Sequence, residues 1–133
     1  MRDISDNARQ LLELVGLGAR ANSRAEALSR GERARIGIAR ALASDPALLI
    51  LDGPANGLPG EEITALTDLI RALNDAGITI VLAERNMKMI ADCCSGVVAM
   101  NAGRVIALGS PTECFANPDV QRAYFGATAG GGT

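Results

Sequence analysis

Residues 26–58, EALSRGERARIGIARALASDPALLILDGPANGL, place a Ser-x-Gly turn at the start of a helix and an aspartate at the end of an apolar strand. The first of these suits a phosphate. In LSRGE, residues 28–32, a helix begins with its first backbone N–H groups lacking intrahelical acceptors and with the positive end of its dipole exposed. Gly31 lets a ligand approach the backbone, and the Ser29 hydroxyl can donate to an oxyanion. The same five residues also meet the needs of an ordinary helix N-cap with Ser29 as the capping side chain. Asp52 is open to two readings as well, a carboxylate offered at the edge of a strand or a cap on the turn that follows it. The complementary phosphate loop is missing. No G-x-x-x-x-G-K-[ST] occurs, and the single lysine, Lys88, stands in NMKMI with no glycine loop before it.

The elements around these residues follow from periodicity. Ser5 or Asp6 caps a first helix in which Ala8, Leu11, Leu12 and Val15 recur at helical spacing, and Gly16 and Gly18 end it. ARANSRAEAL is a polar connector, and a second helix runs from Arg30 to about Ala43, stopping at SDP because proline disfavours helical geometry before it. ALLILD reads as a strand apolar on both faces, as in a parallel sheet. After PGEE, Ile63, Leu66, Ile70 and Leu73 form one face of a long helix with Gly77 as its left-handed cap, leading into the strand ITIVLA. A short helix through NMKMIADCC, the strands GVVAMN and RVIALG about a turn at Gly103, and two small helices complete the ordered part. Tyr124 and Phe125 are expected to anchor the last helix, and the tail 127–133 to be flexible. Helices alternating with strands give an α/β fold with a mostly parallel sheet flanked by helices.

Composition narrows the function. The 133 residues are 48% hydrophobic and 21% charged with a net charge of -2, the balance of one globular domain, and no apolar run approaches the ~20 residues of a membrane span. The start MRDISDNARQLL lacks the apolar core of a signal peptide, so a cytoplasmic location is expected. A slightly acidic chain with three aromatic residues is unsuited to nucleic acid. Without histidine there is no imidazole to act as base, metal ligand or pH switch. Cys93, Cys94 and Cys114 have no zinc-like spacing and read as reduced thiols.

Taken in order, LSRGERARIGIARAL, DPALLILDGPANGL and GITIVLAERNM resemble the signature motif, Walker B strand, D-loop and switch region of ATP-binding-cassette (ABC) ATPases, a likeness running from about Ala8 to Gly126. Within that family, PANGLPGEE and GSPTECFANPDVQRAYFG are most similar to segments of the branched-chain amino acid importer subunits. The resemblance implies the C-terminal part of a P-loop ATPase domain, with residues 1–28 as the end of a helical subdomain and 29–126 as the signature helix and Walker B part of the core. It implies ATP and Mg2+ as cofactors. Ser29, Arg30, Gly31 and Glu32 would then form the signature loop, facing the γ-phosphate of ATP held by a second ATPase subunit in a head-to-tail dimer. Asp52 would hold magnesium through water, Asn56, Gly57 and Leu58 would form the D-loop, and transmembrane permease subunits would be partners at the inner face of the membrane.

Two further positions depart from that pattern. Gly53 stands where the family has the glutamate that polarises the attacking water, a role worth ~10² to 10⁴ in rate. Arg85 replaces the switch histidine; it can neutralise a phosphate but cannot exchange a proton near neutral pH. Glu84 is a conceivable substitute base, although strand alternation would turn it away from Arg85. The expectation is a truncated or degenerate subunit, beginning after its Walker A loop and inactive alone. The alternatives are a non-catalytic dimerisation or docking module and an incomplete reading of a longer gene. A sheet lacking its Walker A strand is also expected to leave apolar side chains uncovered.

Overall fold

The computed structural model describes residues 4–126. They divide into two compact units, within residues 1–89 and 90–133. The first contains helix α1 (Ile4–Leu14), helix α2 (Arg30–Leu42), strand β1 (Leu48–Asp52), helix α3 (Gly60–Asp75) and strand β2 (Thr79–Ala83). Short helix α4 (Met87–Cys93) follows, and the second unit continues with β3 (Val97–Asn101), β4 (Arg104–Gly109), α5 (Pro111–Ala116) and α6 (Pro118–Phe125).

In the first unit β1 and β2 pair in parallel, with Leu49 opposite Ile80 and Asp52 opposite Ala83, and α3 is the crossover between them. That helix runs from a first turn carrying Glu61 and Glu62, which complement its dipole, to Gly77 at φ +100°, where a left-handed residue closes it. Its buried face is Leu66, Thr67, Ile70 and Leu73, with Ile63 half-buried. α1 and α3 both pack on α2, whose Ile38, Ala39 and Leu42 are buried. The tail 127–133, read as flexible, lies outside the described residues.

Several expectations are corrected. α1 already includes Ser5 and Asp6, so neither is its cap; Asp6 instead places a negative charge in the first turn. The polar connector contains two single turns of 3₁₀ helix, Gly18–Arg20 and Ala25–Ala27. β1 is not buried on both faces: Leu49 is 4% exposed but Ile50 66%. α3 packs against the two-stranded sheet, leaving Leu48, Ile50 and Val81 exposed. The uncovered apolar residues anticipated from the sequence are therefore present on that face.

In the second unit β3 and β4 are antiparallel, joined at Ala102 and Gly103, both with positive φ, as a two-residue hairpin turn requires. The described strands thus form one parallel and one antiparallel pair. α5 and α6 pack on this hairpin. Val120, 1% exposed, anchors α6; Tyr124, one turn later on the same face, is half-buried, while Phe125, one residue further round the helix, is exposed and anchors nothing. Cys114 is buried in the same unit, its thiol directed at the Val97 carbonyl (3.7 Å), whereas Cys93 and Cys94 are half-buried.

Candidate functional site

The start of α2 is built by a reciprocal cap. The Glu32 N–H donates to Ser29 Oγ (3.1 Å), and the Ser29 N–H donates to Glu32 Oε2 (2.8 Å). Arg20, from the turn after α1, adds an ion pair from its Nε to Glu32 Oε1 (3.0 Å). The cap reading and the anion reading of Ser29 do not compete. Its oxygen accepts from the helix while its hydroxyl donates to Glu62 Oε1 at 2.6 Å. Gly31 is buried beneath the Glu62 carboxyl, which lies 2.5 Å from where a Cβ would stand. Glycine leaves that room, and the Glu62 carboxyl fills it.

The cap has a measurable consequence. The Ser29 backbone hydrogen bond first, and Arg20 second, hold the Glu32 carboxyl below the usual glutamate range. A folded pKa below the unfolded one contributes stability above the unfolded value, lost as pH falls through the folded value. Carboxyl-detected NMR should therefore show Glu32 titrating below an unpaired glutamate. Acidification through that range should lower the melting temperature, by less in Glu32→Gln; an ordinary Glu32 titration would contradict this.

The turn leaving β1 comes next to this tip. Gly53 adopts φ +57° and donates its N–H to the Ala83 carbonyl (2.7 Å), continuing the β1–β2 ladder by one bond. A glutamate at position 53 would sit in the left-handed region, at roughly 1–2 kcal/mol. The Asn56 N–H then donates to Gly53 O (3.0 Å) and the Leu58 N–H to Ala55 O (3.1 Å), forming a tight turn with Gly57 at φ +71°. The Arg30 guanidinium lies where a side chain on Gly57 would be. The structure thus brings Ser29, Arg30 and Gly31 together with Gly57 and, beyond it, Glu62. Asn56 is exposed and Leu58 buried, so only the former offers its side chain to a neighbour. Asp52 is exposed at the end of β1, and among the described residues no group of three or more His, Cys, Asp or Glu side chains is placed to hold a metal. The residues present therefore fit a phosphate at α2, while Asp52 alone would be the carboxylate directed at Mg2+.

Glu84 was expected to turn away from Arg85 by strand alternation, but β2 ends at Ala83, so alternation no longer applies. Its carboxylate accepts three backbone N–H groups: Ala55 (2.9 Å) through Oε1, and Arg85 (2.7 Å) and Asn86 (3.0 Å) through Oε2. It fastens the turn after β1 to the turn after β2. Arg85 is exposed there, and Asn86 caps α4 through Oδ1 to the Met89 N–H (2.9 Å). Arg33 and Arg35 bond to the Glu26 and Val15 carbonyls, which makes them scaffold residues.

Neither the Glu62 contact nor the Glu84 clamp was read from the sequence. In the sequence Glu62 stands only in the PGEE that opens a helix, and the 33 residues separating it from Ser29 carry no local signal of their meeting.

A family model described as ABC transporter matches residues 3–56. Among relatives, the methionine import ATP-binding protein MetN of Lacticaseibacillus paracasei is 40% identical over 89% of this chain and 34% of its own length. That of Burkholderia thailandensis is 39% identical over 93% and 37%. The chain spans about a third of the length of the curated relatives it matches. An ATP-binding cassette of an ABC transporter, solved in its ADP conformation, superposes with TM-score 0.85 at 23% identity, covering 95% of this chain and 52% of the other. The cbiO1 component of the Clostridium perfringens transporter complex cbiONQ superposes with TM-score 0.76 at 31% identity, covering 92% and 51%.

Proposed function

We propose that this chain, similar to ABC transporter ATP-binding domains in sequence and sharing part of their fold, acts as a signature half-site in an importer's nucleotide-binding dimer. The observation that carries this reading is the tip of α2, where Ser29 is exposed, its hydroxyl donates to a carboxylate oxygen of Glu62, and that carboxyl lies over Gly31, the contacts that a phosphate oxygen would make there. Ser29, Arg30, Gly31 and Glu32 would complete a pocket whose phosphate loop belongs to a second ABC ATP-binding subunit. Residues 1–28 would be the end of the helical subdomain and 29–126 the signature and Walker B part of the core.

When bound, MgATP supplies the phosphate charge that joins the two subunits. The chain's own residues would bind and orient. Ser29 would donate to a phosphate oxygen, the first-turn N–H groups of α2 would offset part of its charge, and Asp52 would be the carboxylate offered to magnesium through water. Asn56, Gly57 and Leu58 lie at the seam. Gly53 has no side chain to polarise water and Arg85 exchanges no proton, so this half-site positions a nucleotide without hydrolysing it. Transmembrane permease subunits would hold the assembly at the cytoplasmic face; no helix among the described residues is long and apolar enough to cross a membrane.

The transported solute is read as an amino acid. The relatives' names favour methionine, where the likeness of PANGLPGEE and of the C-terminal segment favoured branched-chain amino acids; the named relatives lend that narrower reading no support.

The test mixes the full chain with the MetN subunit of Burkholderia thailandensis and measures association by fluorescence titration with and without MgATP. MgATP should tighten association by about tenfold or more, within the usual range of coupling between sites. Ser29→Arg should abolish the gain, and calorimetry on the chain alone should find no sub-millimolar ATP affinity. Association indifferent to MgATP would instead favour a docking module, a reading to which the exposed Leu48, Ile50 and Val81 face lends itself.

A further inference from the structure

The tip of α2 already holds an anion. Glu62 Oε1 accepts the Ser29 hydroxyl at 2.6 Å, and its carboxyl covers the backbone of Gly31 in the space that a Cβ would otherwise fill. These are the same donor and the same cradle that a phosphate oxygen would use. Glu32 does not share this position: its carboxylate is turned back to the Ser29 N–H and to Arg20. Glu62 alone lies over the tip, brought there from α3 rather than from α2 itself.

We infer that Glu62 is an autoinhibitory contact, an internal carboxylate that occupies the anion position at α2 and must withdraw before a nucleotide phosphate can be accepted there. The inference rests on the half-site reading above. The occupant and a phosphate are both negative, so they cannot share the tip without strong repulsion at such short range. Ser29 is exposed, so once Glu62 withdraws its hydroxyl turns to water until a phosphate oxygen takes it.

The fold supplies the means of withdrawal. Glu62 stands in the first turn of α3, four residues after Leu58, and the segment between contains Pro59 as N-cap and Gly60 as first helical residue. A partner that engages Asn56 and Gly57 therefore pulls on the start of the helix that carries Glu62. The Arg30 guanidinium, carried by the first turn of α2, stands beside Gly57, so the 56–58 turn adjoins the tip that Glu62 covers. Seating of the partner on the 56–58 turn and opening of the phosphate position become one event. A nucleotide would meet a closed tip in the chain alone and an open one in the dimer.

The experiment uses the full chain, the Burkholderia thailandensis MetN subunit and MgATP, with association measured in wild type, Glu62→Gln and Glu62→Ala. Glu62→Gln keeps an acceptor for Ser29 and removes the charge; Glu62→Ala removes both. Each should enlarge the MgATP-induced gain in association about tenfold over wild type, and adding Ser29→Arg should cancel the enlargement. A second readout needs no variant: the Glu62 carboxyl ¹³C resonance of the wild-type chain should shift when the MgATP-loaded partner binds. An unchanged gain in both variants, or an unmoved Glu62 resonance on binding, overturns the inference while a wild-type response to MgATP leaves the half-site reading standing. No response to MgATP in wild type or either variant overturns both.

Discussion

Glu84→Ala is expected to lower the unfolding free energy of this protein by about 2–4 kcal/mol, the range for removing a charged acceptor that serves several N–H groups. The carboxylate receives the N–H groups of Ala55, Arg85 and Asn86, and Ala55 is buried. Alanine leaves the Ala55 donor without an acceptor where water has little access, while Arg85 and the half-buried Asn86 can recover part of their loss from solvent. Glu84→Gln should fall between wild type and alanine. Its carbonyl serves one side of the clamp, but its NH₂ group faces further donors on the other. Urea unfolding followed by circular dichroism measures the series, and equal losses for glutamine and alanine would show that the clamp is not what stabilises the turns. The functional consequence goes with the structural one. The turn at 55–58 should exchange its amide hydrogens faster in Glu84→Ala, because that turn is tied to the β2 side through Glu84 as well as by the Gly53–Ala83 bond.

Leu66→Ala is expected to lower the unfolding free energy by about 3 kcal/mol, within the ~2–5 kcal/mol found for emptying a packed leucine site. Leu66 is 1% exposed at the centre of the buried face of α3, the helix that packs both on α2 and on β2. Since whole domains are stable by only ~5–15 kcal/mol, the loss is a large part of the total. Ile63→Ala, one turn earlier on the same stripe but half-buried, should cost about 1 kcal/mol. Urea midpoints of the two variants check the difference. Equal effects would mean that α3 is not seated on α2 and β2 as the structure has it, and Glu62 would then have no fixed place over the α2 tip.

These two sites show what could be read in advance. The stripe of Leu66, Ile70 and Leu73 was legible because helical periodicity repeats within a few residues, although the pattern could not rank Ile63 below its neighbours. The capping box of Ser29 and Glu32, three residues apart, was legible for the same reason in its serine. The Glu84 clamp was hidden: its position just past the end of β2 depends on where pairing with β1 stops, and its partner Ala55 is 29 residues away.

The sequence by itself determined the local pieces. The helix start at Ser29, the left-handed closure at Gly77, the turn at Gly103, and the order of signature, strand and turn all depend on interactions between near neighbours along the chain. Only the tertiary structure decided that β1 is covered on one face, that Gly53 is held in a left-handed turn against Ala83, and that Glu62 lies over Ser29 and Gly31. Backbone preference and periodicity act over one or two turns of chain. The meeting of two side chains 33 residues apart is set by how α2 and α3 pack, and that packing is a property of the folded unit as a whole.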